Sequence, residues 1–192
     1  MRLTLPPDLV TPRLLLRPFG EDDFERFYTT CILDPQVMTF FHAFRGSLTD
    51  AEQRARARRD FLEHFIMGSQ RYGYICWALT PGPALHLPPD SFLGWCGILT
   101  PALDHDTWGP ELAYMLARQA QGRGLATEAA AAVMADGWTR YSLPRIHAVV
   151  DTPNLASRRV LERLQMRLLG PVEVYGSTDM LVYTMEVPVD AA

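Results

Sequence analysis

The chain has 192 residues, of which 48% are hydrophobic and 21% charged, so it can bury a substantial core and is not a disordered protein. Its net charge of −4, with Arg at all 18 positively charged positions, argues against a nucleic-acid-binding protein, because such proteins are normally basic. The longest unbroken apolar run, 129–135, is far shorter than the roughly 20 residues that span a bilayer, so no membrane association is expected.

The first third of the chain predicts one strand and two helices. Residues 11–19 are typical of a strand bounded by prolines, and the apolar residues of 21–33 recur with the spacing of a helix. Residues 34–48 are rich in Phe and predict a loop or a short helix. Thr49 followed by Glu52 is a capping box, which predicts the start of a long helix.

The remaining two thirds alternate strands with two further helices. Strands are predicted over 71–79, 92–100, 111–118, 145–151 and, as a pair joined around Gly176, 167–188. Helices are predicted over 123–141 and 153–165, and a proline-rich loop over 81–89. The element order βααβββαβαββ is typical of a single α+β or mixed α/β domain.

The segment between the strand at 111–118 and the helix at 123–141 is the most informative part of the sequence. Gly122 and Gly124 allow the backbone to turn tightly and to approach a ligand closely. The free N–H groups and the dipole of the helix that follows favour an anion there, for which a pyrophosphate is the natural group. A plain strand–helix turn with two flexible glycines is the alternative interpretation.

Three kinds of nucleotide site could use such a turn. A P-loop requires a Lys, which the chain lacks, and a dinucleotide-binding turn requires a third glycine where Thr127 stands. The third kind is a site for acyl-CoA. Residues 121–126 match the signature Q/R-x-x-G-x-G/A, through which the chain resembles the GNAT superfamily of acyl-CoA N-acyltransferases.

Two further segments resemble the ribosomal-protein-alanine acetyltransferase branch of that superfamily, the RimJ/RimL type. Residues 11–14 are similar to its T-x-R-L opening, and residues 154–164 are similar to its N-x-x-S-x-x-x-L-E-x-L motif. The likeness extends over about 11–185 and departs at 165–166, where the branch has Gly-Phe. A simple helix N-cap at Asn154 is the alternative interpretation of the second motif.

This resemblance implies a mixed α+β, GNAT-like fold: one N-acetyltransferase domain over 1–192, with a central, mostly antiparallel sheet splayed between its fourth and fifth strands and flanked by about four helices. It implies acetyl-CoA as co-substrate and no metal. The backbone of the fourth strand would pair with the pantetheine arm, Asn154 would bind its amide, and the turn would bind the pyrophosphate. The cofactor-binding residues so implied are Met115, Leu116, Ala117, Gln121, Gly122, Arg123, Gly124, Leu125, Ala126, Thr127 and Asn154.

Glu111 and Ser157 are the candidate catalytic residues. Glu111 shares one strand face with Ala113 and Met115, and it resembles a Glu of the relatives that is often proposed as the general base. A carboxylate can take the proton of an amine as the amine attacks. Some relatives protonate the departing thiolate with a Tyr at the position of Leu161, which cannot donate a proton, so Ser157 is the substitute. A solvated Glu, a Ser bonded to backbone and a reaction without an acid are the alternatives.

The arginines and histidines give weaker signals. Four arginines lie near the expected phosphate end, and any of them could bind a phosphate: Arg118, Arg123, Arg158 and Arg159. The basic run 54–59 predicts a solvated helix face, with contact to an acidic substrate or partner as the alternative. The five His residues lack the H-x-x-x-H and H-x-H spacings of metal sites.

We therefore predict a cytoplasmic N-acetyltransferase that moves an acetyl group from acetyl-CoA to a primary amine, either a protein N-terminus or a small molecule, by direct attack. A catalytically silent acyl-CoA-binding module without a working base is the alternative. Cys31, Cys76 and Cys96 form no C-x-x-C pair, which agrees with a reducing compartment. The acceptor pocket is predicted from 21–48, 80–91 and the last two strands, and a homodimer is compatible with the sequence.

Overall fold

Proline, glycine and capping residues divide the chain into eight strands and four α-helices within the part that the structure describes. The structure, a computed structural model, describes residues 7–41, 49–67, 76–99, 103 and 108–186. The strands are β1 (Leu9–Val10), β2 (Leu14–Pro18), β3 (Cys76–Pro81), β4 (Gly94–Leu99), β5 (Glu111–Leu116), β6 (Arg145–Asp151), β7 (Arg167–Val174) and β8 (Ser177–Glu186). The α-helices are α1 (Phe24–Phe27), α2 (Asp50–Phe61), α3 (Leu125–Tyr141) and α4 (Leu155–Arg163).

All eight strands form one sheet in the order β1-β2-β3-β4-β5-β6-β8-β7. Every neighbouring pair is antiparallel except β5 and β6, which are parallel and pair only at Glu111 and His147. Beyond that point the two strands diverge, so the β5 edge that faces β6 has no strand partner among the described residues. This confirms the predicted fold class, a mixed α+β fold whose mostly antiparallel sheet is splayed between the fourth and fifth predicted strands. The two-residue β1, which was not predicted, makes these strands β5 and β6.

Helices cover both faces of the sheet. Alternate residues of β5 point to opposite faces: Leu112 and Leu116 pack with α3 and α4, whereas Ala113 and Met115 pack with α1 and α2. The α3 side of the core is largely aliphatic, and the α1 side is a cluster of rings: Phe19, Phe24, Phe27, Tyr28, Phe61, Phe65, Phe92 and Trp95. Glu111 has the same strand parity as Ala113 and Met115, so it lies on the α1–α2 face.

The capping box predicts the start of α2 correctly. The Thr49 N–H donates to Glu52 Oε2 at 2.9 Å, and the Glu52 N–H donates to Thr49 Oγ1 at 3.4 Å. The predicted helix over 21–33 is a continuous helical stretch in which α1 has a 3₁₀ turn before it and a π turn after it, ending at Ile32. Local capping and apolar spacing therefore account for both helices of the first third.

The basic run on α2 is only partly the solvated face that its charges predict. The Arg54 guanidinium lies 5.1 Å from the ring centroid of Tyr28, and that of Arg58 lies 4.9 Å from Phe24. Each Arg also forms an ion pair with α1 or the turn before it: Arg54 with Glu25, and Arg58 with Glu21. These arginines dock α2 onto α1 by cation–π contacts and exposed ion pairs, each worth about 0.5–1 kcal/mol at most.

Several element ends differ from the predicted ones for local reasons. Helix α3 begins at Leu125 and not at 123, because Gly122 and Gly124 hold left-handed φ angles of 71° and 76°. Strand β5 ends at Leu116, because a 3₁₀ turn follows at Arg118–Ala120. Parts of the predicted elements lie outside the described residues, namely 42–48, 71–75, 100 and 187–188. Of the helices that are described, none is both long and apolar enough to cross a membrane.

Candidate active site

The turn between β5 and α3 has the backbone of an anion site. Gly124 is the N-cap of α3, and no side chain in the described part of the chain caps that helix, so the N–H groups of its first turn lack side-chain acceptors. A Cβ added to Gly122 would meet nothing within 4 Å, so the turn opens outward. Gln121 Nε2 donates to the Leu116 carbonyl oxygen at 2.9 Å, which ties the turn to the end of β5. These features fit a bound pyrophosphate.

A strap of Thr11 and Arg13 holds this turn in place. Glu128, in the first turn of α3, accepts from Thr11 Oγ1 at 2.6 Å, from the Arg13 N–H at 2.9 Å and from Arg13 Nε at 2.7 Å. Arg13 Nη1 also donates to the carbonyl oxygen of Arg123, inside the turn, at 2.8 Å. The T-x-R-L opening and Glu128 are thus two sides of one contact, which sequence analysis did not predict.

Changing Glu128 to Gln should destabilise the protein in a pH-dependent way. Burial raises the pKa of Glu128, but the hydrogen bonds from Thr11 and Arg13 outweigh it and hold the pKa below its ordinary value of 4.5. A lowered folded-state pKa stabilises the fold fully at neutral pH, and that stabilisation is lost as the pH falls through the lowered pKa. We expect Glu128→Gln to lower the free energy of unfolding by about 1–2 kcal/mol at pH 7.

Urea unfolding at pH 7 and at pH 3 measures this effect. The difference between the wild type and Glu128→Gln should shrink at pH 3, because the unfolded chain takes up a proton on Glu128 at a higher pH than the folded protein, whose Glu128 pKa is lowered. Glu173→Gln, which changes an exposed Glu on β7, is the matched control and should behave like the wild type at both pH values. A difference that stays constant between the two pH values would contradict the proposed charge contribution of the strap.

The open edge of β5 runs from this turn toward Glu111. Met115, Leu116 and Ala117, which the sequence assigns to cofactor binding, are all buried at the glycine-turn end of that edge. Gly94 of β4 has a φ of 125°, and a Cβ there would lie 2.1 Å from the Met115 carbonyl oxygen. Only glycine allows β4 to approach β5 so closely. This contact fixes the position of β5, and with it the open edge, relative to β4.

The start of α4 faces β5 at the place where β5 and β6 diverge. Asn154 is the N-cap of α4, and its Oδ1 accepts from the Ser157 N–H at 3.1 Å. The Ser157 hydroxyl lies 2.7 Å from the Tyr114 hydroxyl, which also donates to the Ser157 carbonyl oxygen at 3.2 Å. Burial raises the pKa of Tyr114 and outweighs the opposite effect of its bond to Ser157, so this phenol stays protonated at neutral pH. Sequence analysis did not single out Tyr114.

Glu111 lies where β5 and β6 meet, and two further side chains face its carboxylate. The Tyr175 hydroxyl donates to Glu111 Oε2 at 2.7 Å, and His147 Nε2 lies 3.7 Å from the same oxygen. His147 is completely buried, and neither of its ring nitrogens has a hydrogen-bond partner in the described part of the chain. Trp108 lies beside it, with 6.4 Å between the ring centroids. Glu111 is therefore a buried carboxylate in a small polar cluster, not a solvated Glu at a strand end.

Residues 13–167 match the family model of the acetyltransferase (GNAT) domain. The chain belongs to the GNAT acetyltransferase family. This match covers most of the chain and includes β5, the glycine turn, α4 and Glu111. It identifies the protein as an acetyl-CoA-dependent acetyltransferase, in agreement with the predicted enzyme class.

Known proteins of similar sequence or structure agree with this family. The chain is 30% identical over 158 residues to the YkkB protein of Bacillus subtilis, covering 82% of this chain and 84% of YkkB. An acetyltransferase from Agrobacterium tumefaciens has the same fold, with a TM-score of 0.72, 23% identity and coverage of 95% and 96% of the two chains. RimL, a ribosomal L7/L12 α-N-protein acetyltransferase solved in complex with coenzyme A, has a TM-score of 0.67 at 17% identity, covering 97% of this chain and 100% of RimL.

The parts expected to form the acceptor pocket of this GNAT protein do not all reach Glu111. The turn between the last two strands does, through Tyr175. The proline-rich loop instead lies against the strap, with the Ala84 N–H bonded to the Pro12 carbonyl oxygen at 3.3 Å. Trp77 is buried in the core on the α3 side, so it cannot line an acceptor pocket. Of the range 21–48 that was also predicted for this pocket, 42–48 lies outside the described residues.

The four arginines near the phosphate end differ in their surroundings. Arg118, Arg123 and Arg159 are exposed at the surface near the turn or α4. Arg158 is half-buried, and its Nη1 donates to the Thr152 carbonyl oxygen at 3.1 Å, which holds it against the start of α4. No three His, Cys, Asp or Glu residues within the described ranges are grouped so that they could hold a metal ion.

Proposed function

We propose that the protein transfers an acetyl group from acetyl-CoA to a primary amine, either a protein N-terminus or a small-molecule amine. The observation that carries this proposal is the buried Glu111 carboxylate at the point where β5 and β6 meet, at one end of an open strand edge that begins at the glycine turn. RimL, which has the same fold, is described as an α-N-protein acetyltransferase, and this supports an amine acceptor.

Three parts of the chain would hold acetyl-CoA. The first is the turn, where the backbone of Gln121, Gly122, Arg123, Gly124, Leu125, Ala126 and Thr127 would bind the pyrophosphate. The second is the open β5 edge at Met115–Ala117, whose backbone would pair with the pantetheine arm. The third is Asn154, whose Nδ2 has no partner among the described residues while its Oδ1 caps α4. When bound, acetyl-CoA supplies a thioester, which is an activated acyl group.

Glu111 would act as the general base. An alkyl amine is mostly protonated near neutral pH, but only its neutral form is a nucleophile, so a nearby carboxylate that accepts a proton favours the attack. Glu111 shares the strand on which the thioester would lie, so the amine and the carbonyl carbon would be held close together. A backbone N–H of β5 would stabilise the negative charge that develops on the carbonyl oxygen.

Ser157 would supply a proton to the departing thiolate. Its hydroxyl lies at the start of α4, beside the open β5 edge, and it is hydrogen-bonded to Tyr114. Because burial keeps Tyr114 protonated, that phenol can return a proton to Ser157 through the same hydrogen bond. Ser157 lies one helical turn before Leu161, the position at which some relatives have a Tyr.

Two substitutions of Asn154 separate its capping role from its role in binding coenzyme. Asn154→Ala removes the cap and should lower the stability of the ligand-free protein by about 1 kcal/mol. Asn154→Ser keeps a capping hydroxyl but is too short to reach the pantetheine amide, so it should weaken acetyl-CoA binding by about 1–3 kcal/mol at nearly unchanged stability. Thermal unfolding without ligand and calorimetric titration with CoA measure the two effects. If Asn154→Ser binds CoA as tightly as the wild type, Asn154 is only a helix cap.

An amine panel tests the proposed function. The purified protein is incubated with acetyl-CoA and one amine at a time: tetrapeptides that begin with Ala, Ser or Met, spermidine, or phenethylamine. Free CoA is measured as released thiol, and mass spectrometry identifies the acetylated product. We expect at least one amine to be acetylated at its primary nitrogen by the wild type and far more slowly by Glu111→Gln. If CoA raises the melting temperature but no amine is acetylated, the chain is the silent acyl-CoA-binding module instead.

A further inference from the structure

A general base must lie within hydrogen-bond reach of the nitrogen that it deprotonates, either directly or through one water, but the Glu111 side chain is only 6% exposed. In the conformation of the structure, therefore, an acceptor amine cannot contact its carboxylate directly. This inference rests on the proposed function, in which Glu111 is the base. The structure shows which group covers Glu111.

Tyr175 makes the hydrogen bond that closes Glu111 off. It belongs to the two-residue turn between β7 and β8, 64 residues away in sequence, and its hydroxyl donates to Glu111 Oε2 at 2.7 Å. Its φ of 52° is in the left-handed region, which is unfavourable for a bulky side chain. The β7–β8 pairing also shifts register between Val172 and Val174, just before the turn. An irregular hairpin thus presents one strained residue to the carboxylate.

Tyr175 is also a surface residue, unlike Glu111 and His147. It is 49% exposed, whereas Glu111 is nearly buried and His147 is fully buried. A movement of the turn would therefore expose the carboxylate without opening the core. Among the described residues, His147 and Tyr175 are the titratable groups in contact with Glu111, one from β6 and one from the turn.

His147 provides the second polar contact that an amine would need. Its two ring nitrogens are buried without partners in the described part of the chain, which is costly unless a ligand uses them. Nε2 and Glu111 Oε2 are 3.7 Å apart, so one nitrogen atom can lie within hydrogen-bond distance of both. A neutral primary amine has two N–H groups to donate to this pair and a lone pair that remains free for attack.

We propose that Tyr175 is the acceptor gate of this enzyme. In the free protein its hydroxyl occupies the position on Glu111 Oε2 that the acceptor nitrogen takes in the reactive complex. The turn at 175–176 shifts away to admit the amine between Glu111 and His147, and Tyr175 is thus a positioning residue that competes with the acceptor.

Chemical labelling of Glu111 tests the gate without any turnover. A water-soluble carbodiimide with glycinamide, itself a primary amine, couples to accessible carboxyl groups, and tandem mass spectrometry locates the label. Glu111 should be labelled slowly in the wild type and about tenfold faster in Tyr175→Ala and Tyr175→Phe, because both lose the hydroxyl bonded to Glu111 Oε2, which hinders the reaction of that oxygen with the carbodiimide before glycinamide displaces the urea. Tyr183→Phe removes a buried hydroxyl of β8 that has no partner in the described part of the chain, and it should label like the wild type. Wild-type labelling rates in both Tyr175 variants would overturn the gate.

Steady-state kinetics adds a second measurement. With the panel amine that the wild type acetylates fastest, Tyr175→Phe should lower the KM for that amine by about tenfold and leave the KM for acetyl-CoA unchanged. A raised KM for the amine would overturn the proposal, because it would mean that the hydroxyl helps to bind the acceptor. If no panel amine is acetylated, the proposed function fails, and the labelling experiment still decides whether Tyr175 covers Glu111.

Discussion

Replacing Glu111 by Gln should slow acetyl transfer by a factor of about 10² to 10⁴, the usual contribution of a general base. Gln has the shape of Glu and can still accept the hydrogen bond of Tyr175 at 2.7 Å, so the fold and the position of the turn should be kept. Acetyl-CoA affinity should be nearly unchanged, because the groups proposed to bind the coenzyme lie on the turn, the open β5 edge and α4. The loss should appear in kcat and kcat/KM together.

The pH dependence distinguishes a base from a structural residue. As the pH rises, more of the acceptor amine is already neutral, so the ratio of wild-type to Glu111→Gln rates should fall. Initial rates of CoA release between pH 6.5 and pH 9.5, with calorimetric CoA titrations of both proteins, provide the measurement. Glu162→Gln, an exposed Glu on α4, is the matched control. Wild-type turnover by Glu111→Gln at neutral pH would assign Glu111 a structural role.

Replacing Gly124 by Val should abolish coenzyme binding. Gly124 has a φ of 76°, which a β-branched residue adopts only at a cost on the order of 1–2 kcal/mol. The turn would relax toward negative φ, and the N–H groups of the first turn of α3 would no longer point at the pyrophosphate. At CoA concentrations about 100 times Kd, the wild type should gain about 2.7 kcal/mol of stability, or roughly 5–11 °C in Tm, and Gly124→Val should gain nothing.

A control variant must separate the destabilisation caused by backbone strain from the loss of CoA binding. Gly170→Val introduces the same side chain at another glycine of positive φ, 134°, where a Cβ would meet nothing within 4 Å. Gly170 lies on the edge strand β7, so this variant should be destabilised but should keep the full CoA shift. Differential scanning fluorimetry with and without CoA compares the variants. A full CoA shift in Gly124→Val would show that the pyrophosphate does not bind at this turn.

The local features of the site could be predicted from the sequence, because they depend on neighbouring residues. Glycines at 122 and 124 predict a tight turn, and Asn154 three residues before Ser157 predicts a helix cap; both are present. Strand alternation predicts that Glu111 shares a face with Ala113 and Met115, and the packing places those two residues together on the α1–α2 side. Each of these inferences needs only the geometry of one strand, one turn or one helix end.

The contacts that join distant elements could not be predicted in this way. Tyr175 reaches Glu111 across 64 residues, and Tyr114 reaches Ser157 across 43. Such contacts depend on the strand register and on the path of each turn, which no local pattern specifies. Nothing in the sequence sets Tyr175 apart from any other residue before a turn glycine. His147 gave no signal either, because its importance comes from the one position at which β5 and β6 pair.

The strap of Thr11 and Arg13 determines when, during folding, the protein becomes able to bind coenzyme. It joins residues 115 positions apart, so it closes only after most of the chain has been made and folded. The residues that brace the glycine turn precede it by more than 100 positions and are therefore synthesised well before it. Coenzyme binding should therefore be a late event in refolding, recovering after the Trp fluorescence of the core.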